Sequence, residues 1–431
     1  MNSWLEKMYE VFDHTPVIDT HSHVMPSNEL YDHRQDFLVN FLQQYLQDDI
    51  RSAGMTKEEF GYVMDENQDI VKRFAVLQPY WKRTMNTGYA RLAKTTLQLI
   101  YGESDLTDDN IMKISAAYRS HMEDPDFFEH ILCQVCHIRK IISDHSHYDG
   151  IEIPHDEKIF LPVYRMDYLI MPENASDIRR IERECGFPVN SLDDLENAAR
   201  LIMKKARENG AIGYKSGLAY NRSLFYEFAD YNEARKGFEA IRRARISLPD
   251  NGEYALFTTK AFQDYMMHAI LSEANKEGAV FQFHTGIQVG QGNMIPNSNP
   301  ELLTNIFIEY QNIKFDIFHG GYPYFYQLGA LAKQFPNVYA DLCWMHTISP
   351  NDTRTALSSW LDTVPVCKIL GFGDDVHGVE AVAGQLYCAR DNICRVLAAQ
   401  AEAGLRDMEE CEYILHRILL DNPAQLYNIR L

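Results

Sequence analysis

Two histidines, His21 and His23, end a short apolar segment that reads VIDTHSH. Because residues i and i+2 of a β-strand face the same side, this pair predicts two imidazoles directed at one metal ion. The pattern alone is weak, since random placement of 16 histidines in 431 residues gives roughly 0.6 His-x-His triplets. A second copy, DHSH, carries His145 and His147, for which a solvated loop is the simpler interpretation. Position along the chain therefore has to decide which copy matters.

Other apolar runs also end in, or closely precede, residues that bind metals or transfer protons. These residues are Lys215, His284, His319 and Asp375. Imidazole nitrogens and carboxylate oxygens suit Zn²⁺ or a similar divalent ion. A lysine ammonium is not a ligand, but a lysine carboxylated by CO₂ presents a carbamate that can bridge two ions. The set predicts a metal site, although Asp374 beside Asp375 leaves the acidic ligand open by one position.

An alternation of strands and helices must position these residues. Eight short apolar runs recur along the chain, most of them separated by helix-like segments, which is typical of βα units and a parallel sheet. The runs are 16–23, 137–144, 159–167, 210–216, 278–286, 313–321, 337–344 and 368–375. Eight units fit a (β/α)₈ barrel better than an open sheet, and the carboxyl ends of the strands then meet at one mouth. We therefore expect an α/β protein with a distorted TIM-like barrel.

The chain is longer than a bare barrel, which takes about 250 residues. Residues 24–136 separate the first two runs and contain strongly helical stretches. Because the loops that follow barrel strands open on the catalytic face, we predict that this large insertion is a helical cap over the mouth. We expect one barrel domain over residues 1–431 that contains the cap.

Composition excludes several functional classes. A formal net charge of −20 argues against binding to nucleic acid or to an anionic membrane. The sequence has no apolar run of transmembrane length, no recognisable secretory signal, and eight scattered cysteines that are typical of reduced thiols. We expect a cytoplasmic protein that acts on a small molecule, and homo-oligomerisation is compatible with the sequence.

The ligand pattern resembles that of the amidohydrolase superfamily, which places His-x-His on strand one, ligands on strands four to six and an aspartate on strand eight. The segments FHTGIQVGQGN, KFDIFHGGYP, NVYADLCWM and ILGFGDDVHG look like the later strands of its amidohydrolase-related branch of metal-dependent TIM-barrel hydrolases. LLDNPAQLYNI looks like the closing helix of that branch. The branch is akin to uronate isomerases and aminocarboxymuconate-semialdehyde decarboxylase. The resemblance covers nearly the whole barrel, whereas residues 24–136 match no motif of it.

The resemblance implies a ligand set for one or two divalent ions, with zinc favoured. This resemblance implies that His21, His23 and Asp375 bind the more buried ion. His284 and His319 would bind a second ion, or one would bind while the other helps catalysis. A carbamylated Lys215 would bridge a binuclear site. In the mononuclear members, the strand-six histidine is left for catalysis.

The ligands predict hydrolysis by a metal-activated water, whose pKa falls towards ~7. Asp375 is expected to orient this water, accept its proton and return the proton to the leaving group, while His319 or the metal polarises the carbonyl. The predicted substrate is a small, anionic amide, ester or lactone. An unmodified Lys215 with a single metal would instead favour a uronate-isomerase-like or decarboxylase activity on a small sugar acid or carboxylate. A metal-binding barrel without turnover is a third alternative.

Four further residues are predicted to contact the substrate. Arg165 ends the third run and Arg222 follows the fourth, and either suits a bidentate pair with a substrate carboxylate. Each would equally neutralise a nearby acid such as Asp167. Trp344 is expected to form a pocket wall, with a packed core aromatic as the alternative. His377 follows the eighth run and is expected to contact substrate or to hydrogen-bond within its loop.

Overall fold

Eight parallel strands form the centre of the protein. The computed structural model describes residues 3–26, 36–42, 45–144, 158–248 and 252–431. The strands hydrogen-bond in chain order, and each neighbouring pair is parallel. They are β1 (Val17–Ser22), β2 (Ile138–Ser143), β3 (Phe160–Arg165), β4 (Gly213–Ser216), β5 (Val280–Phe283), β6 (Lys314–Ile317), β7 (Val338–Asp341) and β8 (Ile369–Leu370). The predicted (β/α)₈ barrel is confirmed.

The barrel closes through the residues that follow β8, which is only two residues long. Asp375 N donates to His21 O at 2.9 Å, and His23 N donates to Val376 O at 3.0 Å. These backbone bonds join the chain after β8 to β1 and its continuation. They also bring the predicted acidic ligand beside the His-x-His pair.

Helices dominate the described part of the chain between β1 and β2. Helix α1 (Trp4–His14) precedes β1. The next helices are α2 (Phe37–Phe41), α3 (Tyr45–Ser52), α4 (Lys57–Met64), α5 (Ile70–Thr84), α6 (Gly88–Thr96), α7 (Ile111–Glu123) and α8 (Phe127–Glu129), with π-helical turns at Leu97–Tyr101 and His130–Val135. Residues 27–35 and 43–44 of the expected cap lie outside the described residues.

The remaining helices surround the barrel. They are α9 (Asp167–Ile170), α10 (Ala175–Cys185), α11 (Leu192–Glu208), α12 (Tyr231–Ser247), α13 (Lys260–Glu277), α14 (Thr304–Glu309), α15 (Phe325–Gln334), α16 (Met345–Ile348), α17 (Pro350–Thr363), α18 (Val379–Glu402), α19 (Met408–His416) and α20 (Asn422–Tyr427). Local signals explain several boundaries: the Ser191 hydroxyl accepts a hydrogen bond from Asp194 N at 3.1 Å and so begins α11. Within the described ranges, no helix is both long enough and apolar enough to cross a bilayer.

The helices between β1 and β2 pack against the loops that follow β7 and β8. Gly88 begins α6 so close to Thr347 that a Cβ atom would lie 1.8 Å from the Thr347 carbonyl oxygen. Near the start of α18, the buried Glu380 accepts hydrogen bonds from Tyr101 at 2.6 and 2.7 Å and from His121 Nδ1 at 2.9 Å. These contacts fix α6 and the following π-helical turn at the carboxyl end of the barrel. That the segment acts as a cap over substrate stays a prediction.

Candidate metal centre

Three of the predicted ligands meet at the carboxyl end of the barrel, and we call them the metal-facing cluster: His21, His23 and Asp375. One carboxylate oxygen, Asp375 Oδ1, lies 3.4 Å from His21 Nε2 and 3.3 Å from His23 Nε2. His23 Nδ1 donates to the Asp144 carbonyl at 2.6 Å, which fixes the ring so that Nε2 faces Asp375. A hydrogen bond from the ring nitrogen that does not bind the metal is the usual way in which proteins orient a metal-binding histidine.

Asp144 adds a second carboxylate that the sequence prediction did not include. Ligand atoms of His21, His23 and Asp144 all lie within 4.8 Å of one another. Asp144 Oδ2 pairs with Arg165 at 3.1 Å, whereas the buried Asp144 Oδ1 has no hydrogen-bond partner among the described residues. The signal was present, because the second apolar run ends at Asp144 as other runs end in ligand types. The alternative candidates beside it, His145 and His147, lie outside the described residues.

This donor set fits a divalent metal ion. Two imidazoles and two carboxylates converge, and the buried His21 Nδ1 also has no partner in the part of the chain that the structure describes. Nitrogen and oxygen donors in this mixture are typical of zinc and related ions. An ion held here would be ligated by His21, His23 and Asp375, with Asp144 as a further candidate ligand.

The electrostatics of the cluster also suit a cation. Burial lowers the pKa of His21 to about 3, and the charge of Lys215 acts in the same direction. Burial opposes ionisation of Asp375, but hydrogen bonds from His21 and His23 outweigh it and hold its pKa well below the usual range. Burial likewise lowers the pKa of His23, yet Asp375 and Asp144 raise it more, and the net shift is upward. A neutral His21 and an ionised Asp375 are the forms that bind metal.

Asp374, the neighbour of Asp375, belongs to a different environment. Its backbone N–H donates to Asp19 Oδ1 at 3.2 Å, and the two side chains hydrogen-bond to each other. Burial raises the pKa of Asp374 to about 6. Of the two consecutive aspartates, Asp375 is therefore the one beside the histidines.

His284 and His319 form a second pair of imidazoles. His284 Nε2 lies 3.1 Å from Ile287 O, His319 Nε2 lies 2.9 Å from His284 Nδ1, and His319 Nδ1 lies 3.2 Å from Cys343 O. Because both terminal atoms are carbonyl oxygens, three hydrogen bonds need three protons, and two neutral rings carry only two. Burial lowers the pKa of both rings, to about 4 for His319. The neutral pair leaves one contact without a proton, and a cation would fit there.

Lys215 lies close to the first histidine through a shared aromatic ring. Its side chain is only 2% exposed, and Nζ lies 3.9 Å from the centroid of Phe318, whose ring is 4.6 Å from that of His21. Burial lowers the pKa of Lys215 to about 8, and the Arg165 guanidinium contributes in the same direction. A fraction of the side chain is then the neutral amine, which is the form that CO₂ carboxylates. Carbamylation of Lys215 stays a prediction.

Three residues at consecutive strand ends have a left-handed backbone. The φ angles are 62° at His319, 61° at Trp344 and 52° at Asp375. L-residues other than glycine rarely adopt this conformation, and each such residue typically costs about 1–3 kcal/mol. Such strain often accompanies functional sites, and here it coincides with the ends of β6, β7 and β8.

Two of the predicted substrate contacts lie against the histidines. Trp344 is buried, packs edge-on against His319 at a centroid distance of 4.9 Å, and lines a cavity at the mouth. His377 stacks on His23 at 4.8 Å with an interplanar angle of 15°. Both positions are suited to substrate contact, which stays a prediction.

The two predicted arginines are instead engaged in ion pairs. Arg165 contacts Asp144 at 3.1 Å and Asp167 at 2.8 Å, across a glycine at position 217 whose Cβ would lie 1.8 Å from the guanidinium. Arg222 pairs with Asp264 of α13 at 2.5 Å, and both side chains are nearly buried. For both arginines the geometry favours neutralisation of nearby acids over capture of a substrate carboxylate.

Comparison with known proteins gives the family. Residues 174–429, more than half of the chain, match the family model Amidohydro_2, described as amidohydrolase. The chain belongs to the amidohydrolase family. This membership confirms the resemblance that the strand-end motifs carry.

Similar proteins differ in their described activities. A segment of 242 residues, 54% of this chain, is 25% identical to Protein fluG of Emericella nidulans, and it covers only 27% of that protein. Glucuronate isomerase from Caulobacter crescentus superposes with a TM-score of 0.75 at 16% identity, over 99% of this chain and 94% of that one. A Lactobacillus casei protein, provisionally described as a metal-dependent hydrolase, gives 0.67 at 17% identity, over 98% and 99% of the two chains. At these identities the two structural matches support the barrel fold alone.

Proposed function

We propose that this amidohydrolase-family protein is a metal-dependent hydrolase that cleaves an amide, ester or lactone bond of a small substrate. The observation that carries the proposal is the metal-facing cluster, in which one oxygen of Asp375 lies 3.3 and 3.4 Å from two histidine nitrogens. Family membership supports a divalent ion at this position, and the donor types favour zinc. We further propose, from composition, that the enzyme is cytoplasmic and does not bind nucleic acid.

Two residues of the chain carry the proposed chemistry. When bound, a divalent ion supplies a Lewis acid that lowers the pKa of water towards ~7. Asp375, held ionised by His21 and His23, accepts the proton of the attacking water and returns it to the leaving group. His319, neutral near pH 7 and packed against Trp344, would donate a hydrogen bond to the substrate carbonyl oxygen in the tautomer that carries its proton on Nε2, and Nδ1 would then give up its hydrogen bond to Cys343 O.

A second candidate is an isomerase or decarboxylase acting on a sugar acid or another small carboxylate. The observation that favours it is the position of Lys215 Nζ, 3.9 Å from the Phe318 ring, because a cation is attracted to an aromatic face and a carbamate is not. An unmodified lysine points to one metal ion and leaves a positive charge for the substrate. Glucuronate isomerase shares the fold of this chain, which is compatible with this candidate and does not decide it.

The first experiment is the metal content of protein purified without chelators, measured by elemental mass spectrometry. About two ions per chain would support a binuclear hydrolase with Lys215 as the bridge. One ion would favour a mononuclear site with His319 left for catalysis. Absence of metal, even after incubation with Zn²⁺, Mn²⁺ or Fe²⁺, would overturn the proposal.

The second experiment separates the candidate reactions on metal-loaded protein. One panel contains chromogenic esters, anilides and lactones, and the other contains hexuronic acids assayed for aldose–ketose conversion. Hydrolysis that is lost in Asp375→Asn supports the first candidate, and isomerisation without hydrolysis supports the second. If metal binds but neither panel reacts, and Asp375→Asn has no biological effect, the barrel is a non-catalytic metal-binding module.

A further inference from the structure

A cavity beside the metal-facing cluster has a polarity that the sequence did not indicate. We call it the mouth cavity; it measures about 490 Å³ and its walls include Asp48, Asp49, Tyr89, Gln288, Tyr322 and Trp344. Asp48 and Asp49 come from α3, and Tyr89 comes from α6. Because Trp344 also packs on His319 at 4.9 Å, one aromatic ring separates this cavity from the histidines. Tyr89 of the same wall lies close enough to Asp375 that this carboxylate, after burial, raises the pKa of the phenol. A substrate group that extends from the cluster past Tyr89 and Trp344 would therefore occupy the mouth cavity.

Three oxygen atoms of the cavity wall have no hydrogen-bond partner among the described residues. They are Asp48 Oδ1, Asp49 Oδ2 and Gln288 Oε1. Gln288 is only 2% exposed, and its amide nitrogen is fixed by donation to Ala219 O at 3.1 Å. The other oxygen of Asp48 accepts a hydrogen bond from Gly290 N at 2.8 Å. Backbone groups thus hold Asp48 and Gln288 in place, and the Thr87 side chain hydrogen-bonds to Asp49, while one acceptor on each of the three remains unused.

The negative charge of the same wall is only partly compensated. No lysine, arginine or histidine lines the mouth cavity in the part of the chain that the structure describes. Arg51, on the same helix as Asp48, acts through its charge to lower the pKa of Asp48, but its guanidinium packs over the Phe60 ring at 5.8 Å. Burial raises the pKa of Asp48 and Asp49, and for Asp49 the charge of Asp48 adds to the effect. Two half-buried carboxylates and a buried amide oxygen give this wall an excess of negative charge, with no lysine, arginine or histidine among its described lining residues.

We propose that the mouth cavity binds an ammonium group of the substrate, with Asp48 and Asp49 as counter-charges and Gln288 as a carbonyl acceptor. The inference rests on the proposed hydrolase function and narrows its substrate to an amine-bearing amide, ester or lactone. The sequence predicted an anionic substrate, whereas the mouth cavity indicates a cationic group at the end of the substrate that it binds. The engagement of Arg165 and Arg222 in ion pairs agrees with this exchange.

A binding experiment tests the ammonium site without requiring turnover. Calorimetric titration of the full-length, zinc-loaded protein uses 1,4-diaminobutane, 1,4-butanediol and succinate as probes of equal length. We expect the diamine to bind at least tenfold more tightly than the diol, and succinate not to bind. The double variant Asp48→Asn/Asp49→Asn should reduce diamine affinity at least tenfold, whereas the control pair Asp109→Asn/Asp362→Asn, an equal charge change on two exposed residues, should leave it unchanged.

The results that overturn the ammonium site are equally specific. Diamine affinity that is the same in the double variant and in the control pair Asp109→Asn/Asp362→Asn would place the binding elsewhere on the acidic surface. Equal affinity for diamine and diol would identify a hydroxyl-binding cavity instead. If the double variant does not fold, judged by circular dichroism, the single variants Asp48→Asn and Asp49→Asn answer the same question with smaller losses of affinity.

A kinetic experiment keeps this inference separate from the proposed reaction. The substrates are p-nitrophenyl esters of ω-aminobutyric and ω-aminohexanoic acid and their N-acetylated counterparts. Hydrolysis of both kinds at equal kcat/KM would support the hydrolase and overturn the ammonium site. Aspartate-dependent diamine binding without hydrolysis of any ester would support the ammonium site and count against the hydrolase. A preference for the free amine of tenfold or more that disappears in the double variant supports both.

Discussion

Two groups of aspartates inside the barrel have similar burial but opposite ionisation. At the carboxyl end, Asp375 and Asp144 contact imidazoles or a guanidinium, and these partners hold both pKa values below the usual range despite burial. A second group lies within the strands or follows them, and we call it the carboxylate layer: Asp19, Asp316, Asp341 and Asp374. Its members pair with one another, and burial raises their pKa values, to about 7 for Asp341. At the other three, the charge of a neighbouring aspartate adds to the rise.

The comparison shows that the groups in contact with a buried aspartate, and not its depth of burial, decide whether the carboxylate is ionised. In the carboxylate layer each pair can share a proton, and Tyr427 of α20 donates a further hydrogen bond to Asp316. Proton sharing would therefore neutralise much of the layer and would engage the one oxygen of each member that has no hydrogen-bond partner among the described residues. The metal-facing cluster keeps its negative charge and has unused donor atoms, as a cation site requires. Two adjacent residues, Asp374 and Asp375, belong to different groups.

The largest expected difference in metal binding and turnover is between variants in which Asp374 or Asp375 is replaced by asparagine. Asp375→Asn removes the charge that faces both histidines, so metal affinity should fall by about a hundredfold or more and turnover by on the order of 10³. Asp374→Asn should retain bound metal, because its side chain contacts Asp19 instead. Metal content and kcat of the two variants, measured in parallel, check the contrast. Equal metal loss in both would remove the distinction between the two groups.

Removal of the metal should destabilise the protein through the metal-facing cluster only. A ligand at a hundredfold excess over Kd stabilises the folded state by about 2.7 kcal/mol, which here corresponds to a rise in Tm of roughly 3 °C or more. Differential scanning calorimetry with dipicolinate and then with Zn²⁺ measures this shift. The shift should disappear in Asp375→Asn and persist in Asp341→Asn. A zinc-induced shift in Asp375→Asn as large as in the wild type would assign the ion to other ligands.

Asp144 sharpens the comparison, because it contacts Arg165 through its side chain and His23 through its carbonyl oxygen. If Asp375 is the principal acidic ligand, Asp144→Asn should weaken metal binding by about 10- to 100-fold, less than Asp375→Asn. Competition with a chromogenic chelator gives both affinities. A larger loss in Asp144→Asn would make Asp144 the acidic ligand and reverse the assignment.

The carboxylate layer should be visible in the pH dependence of stability. Asp341 has a pKa of about 7 in the folded state, against an ordinary aspartate value of 3.8, so the folded protein holds a proton that the unfolded chain releases. Its contribution is complete below pH 3.8 and is lost as the pH rises towards 7, at up to about 1.4 kcal/mol per pH unit.

Urea unfolding of wild type and Asp341→Asn between pH 4.5 and 7.5 isolates this proton. Histidines with lowered pKa values act in the opposite direction, but they are present in both proteins and cancel in the difference. The free energy of unfolding of the variant should fall less steeply with pH, and Asp109→Asn should follow the wild type. Parallel curves for wild type and Asp341→Asn would show that the layer does not hold the proton.

The barrel was predictable because its signals are periodic and local. Eight apolar runs separated by helix-like segments indicate a parallel sheet, and a strand places residues i and i+2 on one side, which identified His21 and His23. Asp375 was identified as a residue following the last run, but its distinction from Asp374 was not. That distinction depends on the direction in which each side chain leaves the backbone. Asp375 has a left-handed backbone, which no pattern in the sequence indicates.

Contacts between distant segments account for what the sequence did not predict. Asp144 ends the second apolar run, but its place beside His21 and His23 depends on β2 lying next to β1. For Arg165 and Arg222 the sequence left substrate contact and neutralisation of nearby acids open, and their ion pairs with Asp144, Asp167 and Asp264 favour the second. The acidic wall of the mouth cavity combines α3 with the loop after β5, segments about 240 residues apart. No local motif links them, so their shared polarity emerges only from the fold.

The left-handed residues His319, Trp344 and Asp375 have a consequence for protein engineering. A selection for thermal tolerance would favour glycine at each position, because glycine adopts this backbone without penalty and would recover part of about 1–3 kcal/mol. Each gain would delete Asp375 itself, His319, whose charge acts on Asp375, or Trp344, which packs against His319. A thermostable variant obtained in this way would be more stable but would have lost side chains of the proposed site. Stabilising substitutions are therefore better placed in the outer helices, away from the ends of β6, β7 and β8.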